Sequence, residues 1–242
     1  MLDGCFVAEL RQYTLYDGAR ERLVRLFEDE FIGSQQALGI SVIGPFHDLE
    51  DQNRFVWLRG FRDMGERKRM LSAFYEGSIW LANRDAANGT MIDSDNVLLL
   101  RPAHVRLDNP AVTNELDMGS FGRDSLVIAN IHYVDRFAIT AFSQFFEKTM
   151  KPVLASTGAH VIATFETEPA TNTFAKLPVR ESETVLIWLA AFRDAEQYED
   201  HVVTLRGVPD WRKHASPEVL RQFSRKPEVL KLAPTPRSKL TS

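Results

Sequence analysis

Apolar and polar positions alternate from Val7 to Leu15. Leu10 stands between Glu9 and Arg11, and Tyr13 continues the polar row. A two-residue period predicts a strand with two unlike faces. After Asp17-Gly18 the period lengthens: Leu23, Phe27 and Phe31 lie four apart, with Leu26 beside them. This predicts a helix from Ala19 that stops at Gly39. Ile40-Ser41-Val42-Ile43 predicts a second strand ended by Gly44-Pro45, and Phe55 to Phe61 a third. Asp63 and Glu66 form a capping box, so a helix should begin at Met64, with Met70, Leu71 and Phe74 as its apolar face. Gly77-Ser78 interrupts it, and a further helical segment starts near Trp80. Asn96 to Leu100 is the fourth strand, closed by Pro102.

The same order then recurs. Leu126 to Tyr133 reads as a strand, Phe142, Phe146 and Met150 as a helix ending before Gly158, and Val161 to Phe165 as a strand. Asp194 with Gln197 repeats the capping box. Ser216-Pro217-Glu218 starts a short helix, and Glu228 to Leu232 closes the unit. One word is nearly duplicated: Trp57-Leu58-Arg59-Gly60-Phe61-Arg62-Asp63 and Trp188-Leu189-Ala190-Ala191-Phe192-Arg193-Asp194, 131 residues later (57 to 188). Gly39 and Gly158 are only 119 apart (39 to 158), because the turn from Glu166 to Glu183 is longer than its earlier counterpart. A long-period repeat of this kind sets the fold. The expected class is α+β, with two tandem ferredoxin-like βαββαβ units, residues 1–103 and 125–232. Residues 104–124, rich in Pro, Asn, Asp and Gly without a period, are the expected linker, and residues 233–242 a disordered tail.

A four-stranded sheet with helices on one side leaves its other face bare. That face is expected to carry Tyr13, Phe55, Trp57 and Phe61 in the first unit, and Leu186, Trp188 and Phe192 in the second. Pairing the two sheets buries it. They could pair within one chain, as an intramolecular pseudo-dimer, or between chains, as a homo-oligomer.

Composition changes this picture little. The 242 residues are 44% hydrophobic and 26% charged, as in an ordinary globular protein. A formal charge of −4 argues against nucleic acid, which needs a concentrated basic face. One cysteine, Cys5, excludes an internal disulfide and a cysteine metal cluster. The longest apolar run, Val185 to Phe192, is too short to span a bilayer. Without a signal-like N-terminus, a cytoplasmic location is expected.

The candidate chemistry lies on the strands. If Glu9, Arg11 and Tyr13 face inward with Phe55, Trp57 and Arg59, two guanidiniums and a carboxylate meet among aromatic rings. This suits a small apolar ligand with an anionic group, which arginine holds in a two-pronged hydrogen bond. The competing reading is that Glu9 and an arginine only satisfy each other. In the second unit His132 is the candidate general base or haem ligand. Trp80, Arg84 and Asn88 share one helical face, where Arg84 and Asn88 could border a pocket. No histidine spacing makes a metal motif, and no cofactor is identified. Asp93-Ser94-Asp95-Asn96 fails as a calcium loop, because Leu98 and His104 stand where Gly and Glu are needed.

Glu9-Leu10-Arg11-Gln12-Tyr13 and Phe55-Val56-Trp57-Leu58-Arg59-Gly60-Phe61 resemble the NIPSNAP family. Phe74-Tyr75, Trp80, Asn83-Arg84-Asp85-Ala86-Ala87-Asn88 and Met91 to Leu100 extend the likeness over most of residues 6–102. Residues 125–232 resemble a diverged copy. The resemblance implies a ferredoxin-like unit of the dimeric α/β-barrel superfamily, which includes small monooxygenases and haem-degrading enzymes. Two functions are then open. One is a small-molecule binder or small enzyme, monooxygenase- or isomerase-like, using an aromatic, arginine-lined barrel cavity. The other is a non-catalytic protein-interaction or assembly module.

Overall fold

The computed structural model describes residues 6–103, 125–209, 211 and 223–239. The expected linker and the short helix at Ser216 fall outside these. Eight strands close one antiparallel barrel in the order β1-β3-β2-β8-β5-β7-β6-β4. They are β1 (Val7–Leu15), β2 (Ser41–Asp48), β3 (Arg54–Phe61), β4 (Met91–Pro102), β5 (Leu126–Tyr133), β6 (His160–Thr167), β7 (Val185–Phe192) and β8 (Glu228–Pro234). The two sheets therefore pair within one chain. Phe46↔Pro234 and His47↔Ala233 join β2 to β8, while Leu100↔Thr167 and Arg101↔Glu166 join β4 to β6.

Central strand pairs keep one register in both halves. Val7 faces Phe61 and Arg11 faces Trp57; Leu126 faces Phe192 and Asn130 faces Trp188. The helical layer follows suit. α1 (Arg20–Leu26) and α2 (Ile32–Ala37) are joined by one wide π turn at Phe27–Phe31. In the second half α5 (Ile139–Phe145) and α6 (Lys151–Ser156) are joined by another at Phe146–Met150. Gly39 (φ 92) and Gly158 (φ 100) end these helices in the left-handed region that favours glycine. α3 (Met64–Tyr75) starts at Asp63, whose side chain accepts from Glu66 N, and α7 (Ala195–Gly207) at Asp194, which accepts from Gln197 N. α4 (Ser78–Asn88) lies between α3 and β4.

Which face looks inward is the reverse of the expectation. Ala8, Leu10, Val56, Leu58, Leu98 and Leu100 fill the barrel with Val127, Ala129, Ile131, Ile187 and Leu189. Tyr13, Phe55 and Trp57 point outward and are buried under the helices with Phe27, Phe31 and Phe74. Trp188 and Phe192 do the same beneath the second layer. The cause is room. An eight-stranded barrel is just wide enough for side chains to fill it, and here mostly aliphatic residues do so, with Phe46, Tyr133 and Phe165 among them. The two tryptophans and the arginine cluster take the wider space between sheet and helices.

Two further differences concern chain ends and turns. β2 runs through Gly44-Pro45 rather than ending there, helped by a register shift between Val42 and Gly44. Residues 233 and 234 complete β8, and residues 235–239 of the expected tail lie against the first half. Thr235 and Ser238 are buried, and Thr235 Oγ1 donates to Glu28 Oε1 at 2.6 Å. The lengthened β6–β7 connection, residues 168–184, crosses to the first half. Thr173 Oγ1 donates to Met64 O at 3.1 Å, and the Phe174 ring stacks on Tyr75 at 5.9 Å.

Candidate functional site

The site is built on β1 and β3, beneath α2 and α3. Period two puts Glu9, Arg11 and Tyr13 on the outer face of β1, opposite Arg59, Trp57 and Phe55 of β3. Glu9 is wholly buried. Its Oε2 accepts from Arg11 Nη1 at 2.8 Å and from Arg59 Nε at 2.8 Å, and its Oε1 accepts from Arg67 Nε at 2.6 Å. Burial alone would raise the carboxyl pKa. The guanidiniums of Arg59, Arg11 and Arg67 more than reverse this and hold it well below the usual carboxylate range. One carboxylate thus serves three cations, each at most 1% exposed.

Most of the remaining donors are engaged as well, though among the described residues Arg67 Nη2 has no hydrogen-bond partner. Arg59 Nη1 donates to Gln35 Oε1 at 3.0 Å, and Gln35 Nε2 donates to Phe31 O at 3.2 Å. Arg67 Nη1 reaches Asn172 Oδ1 at 2.9 Å, on the connection from the second half. Arg11 Nε donates to the Tyr13 hydroxyl at 2.9 Å. The Arg59 guanidinium lies 4.8 Å from the Trp57 ring centre and that of Arg11 5.6 Å. Both are within cation–π range.

Against this cluster lies a cleft with two chambers. The outer one, about 310 Å³, is bordered by Arg11, Asn88, Ser94 and Met91, and by Phe174 and Lys176 of the long connection. The inner one, about 30 Å³, is enclosed by Trp57, Phe27, Phe31, Gln35 and Phe74. Tyr13, Tyr75, Trp80 and Met91 line both. Arg11 is the one cation of the buried cluster that borders the outer chamber. The cleft therefore offers flat apolar walls, a guanidinium at its floor and an ammonium at its rim. Among the described residues, no group of three or more His, Cys, Asp or Glu side chains could hold a metal ion.

The structure brings Glu9, Arg11, Tyr13, Trp57 and Arg59 together, and adds Asn88 at the cleft. It does not bring Arg84 there: that side chain is exposed and lies 3.4 Å from Asp85. His132 belongs to the other half, facing Leu186 where Tyr13 faces Phe55. Its Nε2 accepts from Trp188 Nε1 at 3.0 Å, and burial pushes its pKa down to about 4. A neutral ring whose acceptor nitrogen is already engaged is poorly placed to take a proton. Arg67, Gln35, Phe174 and Lys176 were not singled out from sequence, and Tyr75 figured there only in the family resemblance. Arg67 had a signal: it falls one helical turn before Met70 and Leu71 and two before Phe74, on the buried face of α3.

No helix among the described residues is long and apolar enough to cross a membrane. No match was found among curated proteins. The chain is similar in structure to a proposed monooxygenase from Lactobacillus acidophilus NCFM. The two share 16% identity at a TM-score of 0.58, over 95% of this chain and 94% of the other. An anthrone oxidase-like protein is 12% identical at a TM-score of 0.54, over 95% and 91%. Likeness at these identities shows a common α/β-barrel fold. A NIPSNAP-like domain protein from Burkholderia xenovorans is 23% identical, covering 42% of this chain and 89% of its own, at a TM-score of 0.39. Residues 8–105, fewer than half of the 242, match the model of the NIPSNAP family.

Proposed function

We propose that the chain is a small-molecule-binding protein or small enzyme, and that its ligand occupies the cleft between the first-half sheet and its helices rather than the barrel interior. The observation that carries this reading is the 310 Å³ outer chamber opening on Arg11. Its volume falls in the range of small-ligand sites, about 300–1,000 Å³. The buried cluster holds three guanidiniums against one carboxylate, so a ligand with an anionic group and a flat apolar body fits best. A monooxygenase- or isomerase-type reaction is the catalytic form of this reading, supported by the kinds of protein that share the fold.

The same reading treats the chain as two tandem ferredoxin-like units. It is supported by the matching strand registers, π turns, left-handed glycines and aspartate caps. Among the described residues, only the first unit carries the charged cluster. At the register positions of Glu9, Arg11 and Arg59 the second unit has Ile128, Asn130 and Ala190.

Anilinonaphthalene sulfonate, a flat apolar anion, tests the proposal by fluorescence titration. One saturable site is expected. Lys176→Glu should weaken it roughly tenfold, the effect of exchanging a favourable charge for a repulsive one worth about 1.4 kcal/mol. Met91→Trp should block it by filling the space between the chambers. Equal binding by all three proteins would remove the cleft as the site.

A further inference from the structure

The inner chamber makes a more specific demand on the ligand, and this inference rests on the cleft being the ligand site. Trp57 is 2% exposed, and its indole N–H has no hydrogen-bond partner. A buried donor without an acceptor is costly, and native proteins seldom leave one. The second half shows how the fold can satisfy the same group. There Trp188 Nε1 donates to His132 Nε2 at 3.0 Å. The first half has Tyr13 at that register position, and its ring meets Trp57 edge-on, 6.1 Å away. The Tyr13 hydroxyl is engaged by Arg11 Nε. The nearby Gln35 amide is engaged at both ends, by Arg59 and by Phe31 O. Among the described residues, no side chain of the first half takes the place of His132.

Trp57 lines the inner chamber, whose 30 Å³ is otherwise walled mainly by rings. That space admits about one water-sized group. It is too small for a ring and suited to a single oxygen atom. The guanidiniums of Arg59 and Arg11, 4.8 and 5.6 Å from the Trp57 ring centre, favour negative charge on that atom. We infer that the inner chamber is a pocket for one ligand oxygen, the carbonyl, enolate or phenolate oxygen of a flat conjugated molecule, and that Trp57 Nε1–H donates to it. The body of the ligand then lies in the outer chamber between Trp80, Tyr75 and Phe174.

Two probes of one shape separate this from simple apolar binding: α-tetralone, an aryl ketone, and tetralin, its hydrocarbon counterpart. Affinities are measured by calorimetry. The Trp57 indole proton is followed by nuclear magnetic resonance on protein carrying ¹⁵N-tryptophan, assigned through its contacts with Phe27. The expected result is a preference for tetralone of up to about tenfold, the worth of one neutral hydrogen bond. Only tetralone should move the Trp57 indole proton downfield. Trp57→Phe should bring the two affinities together. If wild-type protein binds both probes alike with no indole shift, or if the preference survives in Trp57→Phe, the oxygen pocket is wrong while the cleft stands. If neither probe binds, the cleft reading itself falls. Should Trp57→Phe fail to fold, the wild-type comparison decides alone.

Discussion

Replacing Glu9 removes the carboxylate that, alone among the described residues, serves three buried guanidiniums. Arg11, Arg59 and Arg67 each hold it through a hydrogen bond of 2.6–2.8 Å. Hydrogen bonds to a charged group contribute about 1.5–3 kcal/mol each, and breaking a buried ion pair from one side costs about 3–5 kcal/mol. Glu9→Gln keeps the shape and one acceptor but turns an NH₂ toward a cation, so a loss of roughly 3–5 kcal/mol is expected. That is a large share of a typical stability of about 5–15 kcal/mol. The second half shows that the site can be built without charge, with Ile128, Asn130 and Ala190 in register. Tyr198 stands four residues after the Asp194 cap, as Arg67 does after Asp63. A combined variant, Glu9→Ile, Arg11→Asn, Arg59→Ala and Arg67→Tyr, should therefore be more stable than Glu9→Gln, despite three more changes. The sign with pH follows from the depressed Glu9 pKa. The cluster's contribution is fully present above the ordinary carboxylate range, near pH 4.5, and is lost as pH falls below it. Urea unfolding followed by tryptophan fluorescence gives all of these values. A Glu9→Gln midpoint shifted by under about 1 kcal/mol, the scale of an ordinary surface change, would refute the reasoning.

The other expectations are separate. His132 titrates at about 4 when folded against 6.5 for the free side chain, so its contribution is complete above pH 6.5 and is lost as pH falls toward 4. The shift corresponds to roughly 3 kcal/mol, and His132→Phe should flatten that part of the stability–pH curve. Trp188→Ala should cost roughly 3–5 kcal/mol in thermal or urea unfolding, since it empties the core under the second helical layer and strands His132; a melting point within a degree or two of the parent would contradict this. Asp63→Ala and Asp194→Ala should each cost about 1 kcal/mol, the usual worth of a helix cap, and a difference between them beyond that size would show that the two helix starts are not equivalent.

Much of the fold is legible in the sequence because its signals are local. The alternation from Val7 to Leu15, the run from Val185 to Phe192 and the two aspartate caps each mark an element where the structure has it. The facing of the strands is not legible. A two-residue period says that Glu9, Arg11 and Tyr13 share a side, but not whether that side meets helices or the barrel interior. Volume decides this: eight strands converge on Leu10, Val56 and Leu58, while Trp57 needs the wider space outside. The grouping of Glu9 with Arg11 and Arg59 follows from that shared side. Arg67 and Asn172 join it only through tertiary packing, 58 and 163 residues away from Glu9 (67 − 9 and 172 − 9). The length of the Glu166–Glu183 turn was visible, but its path across to Tyr75 was not.

The central claim is that the ligand lies in the cleft and not in the barrel. Crystals grown with anilinonaphthalene sulfonate test it most directly. The account requires density for the naphthalene between Trp80, Tyr75 and Phe174, with the sulfonate on Arg11 or Lys176. Density inside the barrel, or at its mouth beside Asn96, Tyr133 and Arg180, with the cleft left empty, would contradict it.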